Sequence, residues 1–266
     1  MLLEERNYYK PFSYPWAFEA YKKQQQMHWL PDEVPLQDDI KDYNEKLSPD
    51  NRLLLDNIFK FFTQADVDVC CGYAKHYLPT FKQPEVRMML VSFAAMEAVH
   101  QEAYSLLLET LGKSDDMYQD FMDIQEMVEK HEYLSDFNME DKFNIAKTMA
   151  VYSGFTEGVQ LFSSFAILLN YPRHNLMKGM GQIVTWSIRD ESLHVDNVSK
   201  LFRTFIAENP ELWTDKLKYE IYCAAERVVE LEDKFIDVCF ANADIPDLTA
   251  KEVKEYIRYI ADRRLL

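Results

Sequence analysis

The sequence predicts an all-α protein, a bundle of long helices around one core. Three observations carry this. Apolar residues recur at three- and four-residue spacing over long segments. No segment alternates apolar and polar residues with a period of two. Only 6 Gly and 10 Pro occur in 266 residues, too few for the turns of an all-β chain, while 48% hydrophobic residues are enough for a large core.

The elements follow in order. Residues 1–35 hold four prolines and read as an irregular or partly helical arm containing Trp16 and Trp29. The first long helix opens in "SPDNRLLLDNIFKFF", with Ser48 as N-cap and Pro49 at the first helical position. It runs to about residue 77, where "YLPTFKQPEV" (77–86) supplies two prolines that break it. A second helix covers about 84 to 112 and stops at Gly112, and residues 114–130 read as a shorter amphipathic helix. One further helix spans about 140 to 170 and ends at "NYPRHN"; another spans about 175 to 207 and stops at "ENPEL". A final pair covers roughly 211–242 and 249–264. The expected organisation is a single domain, 1–266, with an arm (1–47), a metal-binding helical core (48–207) and C-terminal helices (208–266).

Bulk properties exclude several classes. A net charge of −16 argues against nucleic-acid and anionic-membrane partners. The best apolar run, "LFSSFAILL" (161–169), is too short to span a bilayer. The N-terminal "MLLEERNYYKPF" lacks the basic and apolar regions of a signal peptide. Cys70, Cys71, Cys223 and Cys239 show no CxxC spacing and read as reduced thiols of a cytoplasmic protein.

The chemistry lies in "MEAVHQEAY" (96–104). On a helix, Glu97, His100 and Tyr104 fall within about 60° of one another. Carboxylate and neutral imidazole are metal ligands. Alone, the Glu-x-x-His pair reads more readily as a satisfied core histidine or a surface pair. A second pair, Glu191–His194, occurs in "SIRDESLHVD" on another long helix. Two such pairs on facing helices are what di-metal carboxylate bundles use, together with one acid from each of two further helices.

Both acids are present. Asp66 lies 31 residues before Glu97, and Glu157 lies 34 before Glu191, with proline breaks at Pro79 and Pro172 between them. Antiparallel helices would return each acid to the level of its Glu-x-x-His pair. Asp66 shares a stripe with Phe59, Phe62, Val69 and Tyr73; Asp68 shares its stripe with Gln64 and Gly72, a poorer inward face. Glu157 has no rival acid on its core stripe. Four carboxylates and two divalent cations sum to zero charge, which lets six polar residues sit in a core. Mixed oxygen and nitrogen ligands suit iron or manganese.

With these residues in place, the chain resembles the small (beta), radical-generating subunit of class I ribonucleotide reductase, a family of the ferritin-like di-metal carboxylate superfamily. "WLPDEV" (29–34), "LPTFKQPEV" through "MEAVHQEAY" (78–104), "EGVQLFSSFA" (157–166) and "IRDESLH" (188–194) carry the resemblance, in the family's order and over nearly the whole chain. It implies a ferritin-like bundle in which Asp66, Glu97 and His100 bind one metal ion and Glu157, Glu191 and His194 the other, with Glu97 and Glu191 as bridges. It implies a diiron centre first, with Mn/Mn or Mn/Fe as alternatives, that activates oxygen. Tyr104 matches the stable radical, and Asp190 and Trp29 match the residues that carry it outward. The implied partners are a large catalytic subunit, where ribonucleotides become deoxyribonucleotides for DNA replication, a second copy of this chain, and an activating flavoprotein or reductant. The family usually continues with a docking tail bearing another relay tyrosine; the sequence ends at "YIRYIADRRLL", so that tail is expected to lie outside these residues.

Bland and rival readings remain beside this one. Tyr104 alone, among 16 Tyr, would be a core aromatic; Trp29 would be a packing residue, and Asp190 a surface acid beside Arg189. His28, His76, His131 and His174 read as structural, Phe155, Phe162 and Phe165 as core, and "DFMDIQEMVEKHEY" as a solvated helix face. A ligand-binding Mn/Fe oxidase of the same superfamily would keep the six ligands but lose the Trp29–Asp190 relay. A ferritin-like iron-storage protein would need neither Trp29 nor Tyr104. A metal-free bundle ranks last, because it leaves four buried acids uncompensated.

Overall fold

A computed structural model describes residues 1–118, 124–134 and 137–266. The described residues form helices and connecting turns, with no strand among them. The helices are α1 (Pro15–Gln26), α2 (Gln37–Lys41), α3 (Pro49–Gly72), α4 (Leu78–Thr80), α5 (Pro84–Thr110), α6 (Gln125–Leu134), α7 (Lys142–Val151), α8 (Phe162–Arg173), α9 (Lys178–Glu208), α10 (Asp215–Phe240) and α11 (Ala250–Leu265). Local signals account for most starts. Ser48 Oγ accepts from the Asn51 amide (3.2 Å) with Pro49 behind it, and Pro84 opens α5. Asp141, Thr214 and Thr249 cap α7, α10 and α11.

α3 and α5 run antiparallel, because Gln101 donates to the Asp66 carbonyl (3.0 Å) while Cys70, further along α3, meets the carbonyl of Ala94, earlier on α5. α9 crosses α5 in the opposite direction as well: Tyr104 meets Ser187, His100 meets Glu191 and Glu97 meets His194. The arm contributes α1, which packs on α5 and α9. The cysteines are free, and none of the helices among the described residues is long and apolar enough to cross a membrane.

The expected continuous helix from 140 to 170 is instead broken. α7 gives way to a π-helical turn, Tyr152–Thr156, and then to turns through Leu161 before α8 begins. The Glu157 amide bonds the Tyr152 carbonyl (3.1 Å), five residues back, so one extra residue is inserted and the following side chains are re-aimed. Periodicity did not show this, because a single inserted residue leaves both flanks helical. Pro172 lies within the last turn of α8 rather than beyond it.

The expected 114–130 helix is a 3₁₀ turn (Asp115–Tyr118) and α6, with residues 119–123 outside the described part. The expected solvated face there is half wrong. Residues 120–123 of that run lie outside the described residues, but Lys130 is fully buried. Its ammonium pairs with Glu232 (2.5 Å), donates to the Gln160 carbonyl (3.0 Å) and sits over the rings of Phe61 and Phe235. α6 packs between α3 and α10, and this covers one side of the acidic run.

α9 begins without a side-chain cap of its own, with Met177 in the left-handed region (φ 51). Two acids from the segment after α1 serve instead. Asp39 accepts from the Gly179 and Met180 amides (2.9 and 2.6 Å), and Asp42 accepts from the Met177 amide (2.9 Å). This needs close approach: a Cβ on Gly179 would come within 2.7 Å of the Pro35 carbonyl oxygen. Since α9 carries Asp190, Glu191 and His194, these bonds fix the height of half the site. Replacing Asp39 by Ala strands two buried amides and is expected to lower stability by about 1–3 kcal/mol, whereas the exposed neighbour Asp38→Ala should stay within about 0.5 kcal/mol. Urea unfolding midpoints compare the two; equal shifts would contradict the capping role.

Candidate metal centre

Four elements deliver the site. α5 brings Glu97, His100 and Tyr104; α9 brings Asp190, Glu191 and His194; α3 brings Asp66; the irregular segment after the π-helical turn brings Glu157. All six residues expected as ligands are buried, each no more than 1% exposed. Ligand atoms of Asp66, Glu97, His100 and Glu191 lie within 4.8 Å of one another. So do those of Glu97, Glu157, Glu191 and His194. The two groups share Glu97 and Glu191, the pair expected to bridge.

Contacts inside the cluster are tight. His194 Nδ1 lies 2.8 Å from Glu97 Oε1, and His100 Nδ1 lies 3.3 Å from both Glu97 Oε2 and Glu191 Oε1. Among the described residues, Asp66 Oδ2, Glu157 Oε2 and Glu191 Oε2 have no hydrogen-bond partner, and the Glu97 oxygens meet only the two imidazoles. Orphaned buried polar atoms are rare in native cores. Here they converge on one place, with the oxygen and nitrogen donors that two divalent transition metals take. The residues therefore fit a dimetal centre.

The electrostatics agree. Burial lifts the Asp66 carboxyl well above its ordinary range, against the pull of His100. Burial and then the charges of Glu191 and Glu97 lift Glu157, and burial with Glu97 lifts Glu191. Burial acts against Glu97 too, but His100 and then His194 outweigh it and hold that carboxyl down to about 2. Burial disfavours the His100 cation, yet Glu97 and the surrounding carboxylates raise its pKa well above the imidazole range. Burial and mutual repulsion thus favour protons on these carboxyls, and two dications would compete with those protons.

Tyr104 is 1% exposed, donates to Ser187 Oγ (3.2 Å) and stacks on Phe62, with 4.7 Å between ring centroids. Burial, reinforced by Asp66, raises its pKa and keeps it a phenol. Trp29 Nε1 donates to Asp190 Oδ2 (2.7 Å), and that oxygen lies 3.4 Å from His100 Nε2. Asp190 is no surface acid: it is fully buried. Trp29 is itself buried, packed 5.1 Å from the half-buried Trp186. Asp68, the rejected alternative to Asp66, turns away and meets His131 at 2.5 Å.

Sequence reasoning missed three participants. Gln24 bridges the halves of the site, donating to Asp190 (3.3 Å) and facing His194 Nε2 (3.1 Å). It sits in the polar run "KKQQQ", which gave no signal. Tyr73 donates to Glu157 Oε1 (2.6 Å). Its place on the Asp66 stripe was legible, but its partner was not. Ser187 has no marker beyond its spacing ahead of Glu191.

Comparison with known proteins gives one answer. Residues 6–266 match the family model described as ribonucleotide reductase, small chain. A probable ribonucleoside-diphosphate reductase small subunit of Invertebrate iridescent virus 6 is 44% identical, over 99% of this chain and 83% of that one. The ribonucleoside-diphosphate reductase subunit beta of Chlamydia pneumoniae is 30% identical, over 96% and 78%. Among solved structures, the dimanganese(II) NrdF of Streptococcus sanguinis superposes with a TM-score of 0.84 at 22% identity, covering 97% of this chain and 91% of that one.

Titrating metal-free protein with Mn(II) should release protons, because the raised carboxyls surrender theirs to the cation. Affinity should therefore fall as pH falls, read by calorimetry in buffers of different ionisation enthalpy. At free metal 100-fold above Kd the folded state should gain about 2.7 kcal/mol per site, seen as a raised thermal midpoint. Glu97→Ala, which removes a donor from both groups, should lose most of that gain. A midpoint insensitive to Mn(II) in the unaltered chain would contradict the site.

Proposed function

The chain belongs to the ribonucleotide reductase small-chain family, and from that premise we propose that it starts ribonucleotide reduction by holding an oxidising equivalent on Tyr104 and passing it to a large catalytic subunit. The ligands are Asp66, Glu97 and His100 for one ion and Glu157, Glu191 and His194 for the other, with Glu97 and Glu191 shared. Two bound metal ions supply oxygen activation and one-electron oxidising power. Iron is the first choice; the same donors accept Mn/Mn or Mn/Fe.

The rest is done by the chain's own residues. Tyr104 would give up its electron to the two metal ions and its proton, through the Ser187 hydroxyl, to Asp66, the carboxylate that acts on it most strongly, and so become the stable radical. Its burial and its stack on Phe62 support this role, since an excluded-water cavity protects a phenoxyl from quenching. The observation that carries the proposal is the hydrogen-bonded line His100–Asp190–Trp29. Asp190 accepts the indole N–H and lies beside a ligand imidazole, so electron and proton have adjacent carriers out of the core. His100 and Gln24 fix Asp190 from two further sides. Nucleotide chemistry belongs to the large subunit. Two copies of this chain form the working unit in the cytoplasm, as in the Rnr4 homodimer, a structural relative from yeast, and a flavoprotein or other reductant recharges the centre.

Two variants separate radical formation from radical transfer. Tyr104→Phe should abolish the stable tyrosyl signal in electron paramagnetic resonance after Fe(II) and O2 are added to metal-free protein. Asp190→Asn should keep that signal within about twofold yet lose at least about 100-fold in nucleotide reduction with the large subunit, roughly the transition-state contribution of one positioned proton carrier. Loss of both properties together in Asp190→Asn would contradict the relay.

A further inference from the structure

At the Glu157 end of the ligand cluster lie three tyrosines that the proposed radical route does not use. Tyr73, Tyr77 and Tyr152 are buried, with ring centroids 5.6 Å (Tyr73–Tyr77), 5.7 Å (Tyr73–Tyr152) and 5.4 Å (Tyr77–Tyr152) apart. The Tyr73 ring also stands edge-on to that of His194, 6.4 Å away. The three hydroxyls have different partners. Tyr73 donates to Glu157 Oε1 at 2.6 Å, Tyr152 donates to the Val69 carbonyl at 2.8 Å, and the Tyr77 hydroxyl has no partner among the described residues.

A phenol is readily oxidised only if its proton leaves with the electron, because the phenol radical cation is a strong acid. Tyr73 alone of the three has a carboxylate within proton-transfer reach. A backbone carbonyl is too weak a base to serve Tyr152. We propose that Tyr73 is a second electron donor to the site, oxidised when Tyr104 cannot be. In that step the Tyr73 O–H bond breaks. Its electron would go to the pair of metal ions that the six ligands would hold, whose one-electron oxidising power is the oxidant in this proposal. Its proton goes to Glu157 Oε1, where a new O–H bond forms, and a neutral tyrosyl radical remains.

The two phenols differ in what surrounds them. Tyr104 stacks on Phe62, a ring that is not oxidised by a tyrosyl, so a hole placed there stays. Tyr73 touches two further tyrosines, so a hole there is shared among oxidisable rings and is short-lived. The geometry thus separates a storage phenol from a discharge phenol that spares the ligands when storage fails.

The inference rests on the radical-initiating reading, and the test separates the two. Metal-free wild type, Tyr104→Phe, Tyr104→Phe/Tyr73→Phe and Tyr104→Phe/Tyr152→Phe are each mixed with Fe(II) and O2 and freeze-quenched for electron paramagnetic resonance. Each is made with and without β-deuterated tyrosine, and bound iron is counted to show that the site is intact. Tyr104→Phe should give a transient signal that deuteration narrows. That signal should survive Tyr152→Phe and fall at least tenfold with Tyr73→Phe at unchanged iron content. A stable radical in wild type with no tyrosyl signal in Tyr104→Phe, or one undiminished by Tyr73→Phe, overturns this inference alone. No organic radical in wild type at full iron loading overturns the reading beneath it as well.

Discussion

Four carboxylates and two imidazoles buried against one another set the terms for the whole molecule. Removing an ionised carboxylate from water carries a penalty of several kcal/mol even after the surroundings relax. Glu97, Glu157 and Glu191 repel one another at the same spot. Burial and that repulsion favour protons on the other carboxyls, with His100 drawn toward its cation and Glu97 toward its anion. That solution leaves oxygens of Asp66, Glu157 and Glu191 without hydrogen-bond partners among the described residues. Two dications would satisfy the charge and the lone pairs together, which would tie the energetics of folding to the chemistry of the centre.

The architecture keeps those six groups in register. α5 and α9 cross antiparallel, so Tyr104, His100 and Glu97 on one stand level with Ser187, Glu191 and His194 on the other. Asp39 and Asp42 hold the start of α9, and the π-helical turn at Tyr152–Thr156 aims Glu157 inward. Rigid helices carry the ligands, while α1 closes one side and brings Gln24 against both Asp190 and His194. The same crossing places Tyr104 in an apolar pocket and Trp29 on a hydrogen-bonded line to His100.

Much of this was legible in the residues. The helices follow from apolar spacing and from Ser48–Pro49 and Pro84, whose local chemistry fixes the starts. The site was legible because its residues repeat: two Glu-x-x-His pairs, each with an acid one hairpin earlier, are hard to obtain for any other reason. Asp66 over Asp68 followed from the company each keeps on its stripe. What escaped was tertiary. Glu157 reads as a residue in a continuous helix, yet it sits in a break, because a single extra backbone residue is invisible to a 3.6-residue period. Lys130 reads as solvated within an acidic run, yet Glu232 and two phenyl rings, distant in sequence, enclose it. Gln24 and Tyr73 act through single hydrogen bonds to residues far along the chain, and no local pattern announces such partners.

On the proposed reading, this cluster holds two cations in overlapping donor sets. Anomalous diffraction from crystals soaked in Mn(II) or Fe(II), collected on both sides of the metal absorption edge, tests it most directly. Two peaks per chain are expected, one among Asp66, Glu97, His100 and Glu191 and the other among Glu97, Glu157, Glu191 and His194. A single peak, or metal bound elsewhere with this cluster unfilled, would contradict the account.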